Sequence, residues 1–331
     1  VNVHDLPTPA LIIDTEALDH NLATMAAVHP RSALRPHVKA HKCTALAARQ
    51  QSHGHHHFTC ATPAELLGMV AAGVGDDLLL ANEVLDPARL RALAAVPERV
   101  TVTIAVDSPA TIDAAADAGV RHVLIDVNIG LPRCGCDPSA AGELADRARN
   151  AGLDVRGVMG YEGHLMVMAD RAEQASKVDQ AVEALLAAHA VVGGDIVSGG
   201  GTGTYDLHSH LTEVQAGSYA LMDSYYATMG LPFRQACWVL GTVISTTTRH
   251  CVADVGLKAL AMDHGNPTID GAQTWFLSDE HITFSGLAQA VGDRVRVVPA
   301  HIDPTMAMHD TAWLVSDDEV VDRWSIDLRG W

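Results

Sequence analysis

The strongest constraint on this chain is its alternation of short β-branched and apolar runs with Ala- and Leu-rich amphipathic stretches. Strands are predicted at residues 34–39, 57–62, 77–82, 100–107, 122–128, 155–161, 195–199 and 213–217. The segments between them read as helices, among them 63–72, 87–96, 109–118 and 171–190. Several open with Thr-Pro, Asp-Pro or Ser-Pro, a proline in the first turn behind a capping residue. Strands alternating with helices imply right-handed βαβ units and a parallel sheet. Eight is also the strand number that closes a (β/α)8, TIM-like barrel, and a span of about 200 residues is the low end of its usual size. The last crossover, 200–212, has room for a turn or a short helix only. An open doubly wound sheet is the alternative, but the Gly-x-Gly-x-x-Gly turn expected after its first strand is absent.

After residue 233 the texture changes. Strands are predicted at 238–247, 252–260, 274–276, 295–300 and 313–315, broken by turn-rich pieces such as His264-Gly-Asn-Pro, with no long helical period. The expected organisation is therefore an α/β barrel over 15–233 and a C-terminal all-β domain over 234–331. The opening strand at 10–14 is compatible with either unit and is grouped with the β domain as residues 1–14.

Composition narrows the function. Of 331 residues, 48% are apolar, enough for a large core, and the net charge is −18. A surface this acidic repels phosphate backbones and anionic lipid, which argues against nucleic acid or membrane as partners. No apolar run approaches the roughly 18 residues of a spanning helix, and the residues after Val1 lack the features of a secretory leader. The six cysteines include no Cys-x-x-Cys pair; the tightest spacing is Cys134-Gly-Cys136. Reduced, mostly buried thiols in a soluble cytoplasmic protein are expected. The unusual count is the 19 histidines, which makes a metal worth seeking.

Barrels carry function at the C-terminal ends of their strands. The first strand ends in Arg35-Pro-His-Val-Lys39-Ala-His41-Lys42. A lysine where a buried strand meets the mouth is partly desolvated, which favours a free amine able to form a Schiff base; a surface lysine paired with acidic neighbours is the plainer alternative. Strands seven and eight end in Ser198-Gly-Gly-Gly201-Thr202-Gly-Thr204 and Gln215-Ala-Gly217-Ser218-Tyr219. Such loops aim backbone N–H and hydroxyl groups at an anion, in the place where barrels commonly bind phosphate; tight barrel-closing turns would look similar. Arg133 follows strand five, and Tyr161-Glu162-Gly163-His164 ends strand six. A Schiff-base lysine, a phosphate cradle and aromatic or guanidinium walls together describe a pyridoxal phosphate site. In the β domain, Val298-Pro-Ala-His301-Ile-Asp303-Pro304 on an extended strand would present imidazole and carboxylate on one face, half a metal shell. The conspicuous run His53-Gly-His-His-His57 precedes strand two at the other end of the barrel and reads as a solvated loop. His208 and His210 follow the glycine loop, with site and structural roles both open.

These segments match one family in order: Thr8-Pro9-Ala-Leu, Arg35 to Cys43, Ala81-Asn-Glu-Val84, Arg133-Cys-Gly, Gly199 to Gly203, Gln215 to Asp223, Gly256-Leu-Lys258 and Pro299 to Thr305. The chain resembles, nearly end to end, the D-threonine aldolase and D-serine dehydratase group of alanine-racemase-like, fold type III pyridoxal phosphate enzymes. The resemblance implies a barrel followed by a β domain, and a homodimer with shared active sites. It implies that Lys39 holds the cofactor, that Gly201, Thr202, Gly217 and Ser218 contact its phosphate or ring substituents, and that Tyr161 and Arg133 lie beside the ring. His301 and Asp303 would bind a divalent ion. Aldolases of the group tend to carry His-x-Asp here and dehydratases His-x-Cys. A carboxylate suits manganese, magnesium or calcium, whereas thiolate selects zinc. One departure stands out: family aldolases often read Tyr-His-Gly at strand six with another histidine a few residues on, where this chain has Tyr161-Glu162-Gly163-His164 and then Met168-Ala169. His164 is the first candidate to take the substrate hydroxyl proton, with Tyr161 beside it, and Glu162 the second.

The expected reaction is retro-aldol cleavage of D-β-hydroxy-α-amino acids, D-threonine giving glycine and acetaldehyde. Dehydration of D-serine or D-3-hydroxyaspartate is the nearest rival, and racemisation a more distant one. A non-catalytic pyridoxal phosphate carrier is disfavoured by the β domain, and a sugar-phosphate barrel enzyme is the last alternative.

Overall fold

The computed structural model describes residues 1–330. In chain order its strands are β1 (Ala10–Asp14), β2 (His57–Cys60), β3 (Asp77–Leu80), β4 (Thr101–Val106), β5 (His122–Asp126), β6 (Asp154–Met159), β7 (Ile196–Gly199), β8 (Glu213–Val214), β9 (Cys237–Thr246), β10 (Cys251–Ala253), β11 (Gln273–Leu277), β12 (Ile282–Ser285), β13 (Arg294–Val297), β14 (Thr311–Ser316) and β15 (Glu319–Ser325). The helices are α1 (Thr15–Val28), α2 (Thr44–Ser52), α3 (Pro63–Ala72), α4 (Pro87–Ala94), α5 (Pro109–Asp117), α6 (Ala141–Asn150), α7 (Arg171–Val192), α8 (Ser224–Ala227) and α9 (Ile302–Met308). By contacts the chain divides into two compact units. One comprises 1–24, 40–45 and 218–327; the other comprises 25–39, 46–217 and the residues from Leu328.

The second unit is the α/β barrel. Strands β2 to β8 form a parallel sheet in sequence order. The first predicted strand is not a full ladder, because Pro36 has no N–H to give. Its backbone nonetheless bonds on both sides: Arg35 N to Val214 O at 2.9 Å, His37 N to Ala216 O at 3.1 Å, and Thr59 N to Pro36 O at 2.9 Å. The predicted helix starts hold well. Thr62 caps α3 in a capping box with Glu65, and Pro63 occupies the first turn; Ser108 with Thr111 does the same for α5, and Asp86, followed by Pro87, caps α4 by accepting Ala88 N and Arg89 N. The crossover from β7 to β8 consists of turns alone, as its length required.

The barrel holds a polar network near the N-terminal ends of its strands. Arg35, 1% exposed, donates to Glu213 at 2.7 Å and to Asp77 at 3.0 Å. Arg156 reaches the same Asp77 at 2.6 Å and Thr103 Oγ1 at 2.6 Å. Burial opposes ionisation of Asp77, but the Arg156 hydrogen bond and the two guanidinium charges prevail and hold its pKa at about 2. Behind the strands, Leu66, Leu78, Leu80, Leu90, Val106, Val123 and Ile125 pack into the main apolar core.

The other unit is mostly sheet, with strand order β11-β12-β10-β9-β1-β14-β15 and β13 added on β9. β1 pairs in parallel with β14 and antiparallel with β9, so the opening strand is central to this sheet. Two strands, β12 and β15, were not predicted, and the predicted strand 252–260 stops at Ala253. Beyond it the Asp254 side chain accepts Thr242 N and the Thr8 hydroxyl, both at 2.6 Å. Among the described residues no helix is long and apolar enough to cross a membrane, and no disulfide joins the cysteines.

Candidate active site

Lys39 sits in a 3-10 turn (Val38–Ala40) directly after the barrel's closing segment. Its Nζ lies 5.6 Å from the centroid of the Tyr161 ring, and the Arg133 guanidinium carbon lies 5.4 Å from the same centroid. Two predicted residues, Lys39 and Arg133, thus both lie over the ring of the third, Tyr161. A bound pyridine ring suits such a set: an amine for covalent attachment, an aromatic wall and a guanidinium.

The glycine loop after β7 is shaped first by close packing. A Cβ on Gly203 would fall 1.7 Å from Met166 O, and Gly200 adopts φ +75°, a conformation that glycine tolerates best. Thr202 is buried within it, at 2% exposed. Glu162 reaches into this loop. Its Oε1 accepts from the Thr204 hydroxyl and from His208 Nε2, each at 2.8 Å, and its Oε2 accepts Gly200 N at 3.3 Å. Burial pushes the Glu162 pKa up, yet the hydrogen bond and charge of His208, with Thr204, hold it below the usual carboxylate value. Both of its oxygens thus accept from the protein.

His164, the other candidate base, is exposed and lines a groove of about 510 Å³ with Asn128, Met168, Lys177 and Gln180. Its ring lies over Gly130 in the loop after β5, where an added Cβ would stand 2.8 Å from His164 Cε1. Near Arg133 lie two carboxyls, Asp126 and Glu83, to which the sequence reading gave no role. Burial, then the charge and hydrogen bond of Glu83, raises the Asp126 pKa well above the ordinary value, against the pull of Arg133. The neutral form of Asp126 is thus favoured relative to an ordinary carboxyl. The same neighbours, after burial, push the Cys134 thiol up to about 11.

In the sheet unit, His301 is not on a strand. It is the extended residue (φ −141°) that caps α9, and Asp303 lies in the first helical turn. Pro304 explains the difference, since proline is favoured in a helix's first turn and removes a ladder donor. The face-sharing argument from strand period therefore does not apply. Asp303 Oδ1 instead accepts the Ser218 hydroxyl at 2.9 Å, joining a residue expected at phosphate to one expected at metal. Asp223, fully buried, accepts Ile302 N at 3.0 Å and Tyr226 N at 2.9 Å, pinning the residue between His301 and Asp303. Around His301 the structure gathers Asp263 and His264, whose ligand atoms and that of His301 all lie within 4.8 Å of one another. That spacing and an all-imidazole-and-carboxylate donor set fit a divalent ion. The sequence showed Asp263 and His264 only as part of a turn; the adjacent Asp-His pair before Gly-Asn-Pro was the available signal.

Gly217 and Ser218 are both buried. The His53–His57 run is not the solvated loop expected: His55 is 1% exposed, with Nδ1 3.0 Å from Arg31 O. Burial lowers the pKa of His55 and His57, the first helped by neighbouring histidines and the second by Arg35. His208 is accounted for by Glu162, and His210 is exposed.

Residues 13–225 match the family described as alanine racemase, N-terminal domain, and residues 236–315 match the putative serine dehydratase domain. The chain belongs to the alanine-racemase-like family, with fold type III architecture. It is 35% identical to the D-threonine aldolase of Arthrobacter sp. over 98% of this chain and 93% of that one. It is 32% identical to the 3-hydroxy-D-aspartate aldolase of Paracoccus denitrificans (strain Pd 1222), with the same coverage. The crystal structure of D-threonine aldolase from Filomicrobium marinum superposes with a TM-score of 0.95 at 32% identity, covering 100% of this chain and 98% of that one.

Proposed function

We propose that this protein is a pyridoxal phosphate- and divalent-metal-dependent lyase that cleaves D-β-hydroxy-α-amino acids by retro-aldol chemistry, D-threonine giving glycine and acetaldehyde. The observation that carries the aldolase reading is the His301-x-Asp303 pair, which offers an imidazole and a carboxylate and no thiolate, beside further imidazole and carboxylate groups at Asp263 and His264. The soft thiolate that selects zinc is missing, and a carboxylate completed by water suits manganese, magnesium or calcium. The full-length aldolase relatives support the same reading.

In this proposal Lys39 holds the cofactor, Tyr161 and Arg133 flank its ring, and Gly201, Thr202, Gly217 and Ser218 serve its phosphate or ring substituents. His301 and Asp303 hold the ion. When bound, pyridoxal phosphate supplies a sink for the electrons of the breaking Cα–Cβ bond, and the ion supplies Lewis acidity to the β-hydroxyl. The chain's own part is to place these groups and to move one proton. Glu162 is committed to His208 and Thr204, so the proposal gives the hydroxyl proton to the exposed imidazole of His164. A homodimer with shared active sites and a cytoplasmic location belong to the same proposal.

Dehydration is the second reading, favoured by the match of residues 236–315 to a serine dehydratase domain. D-Threonine separates the two. An aldolase yields glycine and acetaldehyde, whereas a dehydratase yields 2-oxobutanoate and ammonia.

A further inference from the structure

His301 is held from a segment outside its own motif. Asp263 Oδ2 lies 2.6 Å from His301 Nδ1. The His264 ring stacks on that of His301, with centroids 3.9 Å apart and planes 12° from parallel. The backbone at His301 is fixed as well, by a bridge to Ala261 and by the Thr305 hydroxyl donating to the His301 carbonyl at 2.7 Å. Thr305 Oγ1 in turn accepts Ala261 N at 3.1 Å, tying the 261–264 segment to the start of α9. Main chain, ring plane and ring edge of His301 are thus all held by protein contacts.

A neutral imidazole carries one proton, and the nitrogen that donates to a carboxylate is the one that keeps it. With Nδ1–H directed at Asp263, the lone pair is left on Nε2. Metal-binding histidines commonly have their second nitrogen engaged in this way, which fixes tautomer and orientation and raises ligand basicity.

We propose that Asp263 is a positioning residue for the cation site: it sets the Nδ1–H tautomer and ring angle of His301, with His264 restricting ring rotation, so that Nε2 is presented to a divalent ion. The inference rests on the metal-dependent reading above and deepens it. It differs from a role for Asp263 as a direct ligand, which the proximity of the three donor atoms would also allow.

The two roles separate by manganese titration of the full-length protein after chelation, read by calorimetry and by the electron paramagnetic resonance signal of unbound manganese. Circular dichroism establishes that each variant is folded. His301→Ala is expected to abolish binding. Asp263→Ala is expected to weaken it by about 10- to 100-fold. Asp263→Asn is expected to recover most of the loss, because its amide oxygen still accepts the Nδ1–H. Wild-type affinity in Asp263→Ala, with His301→Ala inactive in binding, would overturn the inference and leave the metal reading standing. An Asp263→Asn variant as weak as Asp263→Ala would also overturn it, showing that the carboxylate charge itself is needed. Wild-type affinity in His301→Ala would overturn the metal reading itself.

Discussion

His208 Nε2 lies 2.8 Å from Glu162 Oε1, where the two side chains are 0% and 1% exposed. One member of this pair lies just after a strand of the barrel and the other follows the glycine loop, so the contact braces the loop from inside. Removing one partner leaves buried polar groups unmatched. Glu162→Ala should therefore lose about 3–5 kcal/mol in a urea titration, and Glu162→Gln less, since the amide oxygen still accepts from Thr204 or His208. The Glu162 pKa is lower when folded than when unfolded. Its contribution is thus present above the ordinary carboxylate value and lost as pH falls through the folded one. The stability gap between wild type and Glu162→Gln should narrow in acid.

Asp77 between Arg35 and Arg156 predicts a second acid-sensitive step. Its pKa of about 2 against the ordinary 3.8 corresponds to about 2 kcal/mol of stability at neutral pH. The sign is that of a depressed carboxyl: full benefit above pH 3.8, lost as pH falls towards 2. Asp77→Asn should lower stability at neutral pH and flatten the acid limb. Arg35→Met, which strands Glu213 as well, should cost about 3–5 kcal/mol.

At the rim the direction reverses. The Asp126 pKa is raised, so its neutral form is favoured on folding, and that contribution is lost as pH rises through the folded value. Asp126→Asn should gain stability relative to wild type as pH rises above the ordinary carboxylate value, read as the difference between their urea midpoints in acid and at neutral pH. A protonated-carboxyl stretch in the infrared that persists above the ordinary carboxylate range, and is absent in Asp126→Asn, checks the assignment.

His164 is assigned the hydroxyl proton. His164→Ala should reduce kcat by about 10²- to 10⁴-fold while the yellow colour of the bound cofactor persists. Lys39→Ala should lose both colour and turnover. An unchanged kcat in His164→Ala would remove that residue from the chemistry.

The barrel was legible because its signals are local. Thr62-Pro63 with Glu65 three residues beyond the cap announces α3, and the β-branched runs at β4 and β5 announce buried strands. β15 escaped because it is mostly exposed and carries Glu319, Asp322 and Arg323 among its valines. At the site, the lysine and the tyrosine were found by where their strands end. The pairing of Ser218 with Asp303 spans 85 residues and leaves no periodic trace. His301-x-Asp303 was read with strand periodicity, and Pro304 turned it into a helix start. Asp263 and His264 were passed over because a turn has no period to reveal which side chains converge.

The most direct test of the retro-aldol account is product analysis on D-threonine with the purified protein, before and after chelation and after adding manganese. The account predicts glycine and acetaldehyde in equal amounts, abolished by chelation and restored by manganese. Production of 2-oxobutanoate with ammonia, or turnover indifferent to chelation, would contradict it.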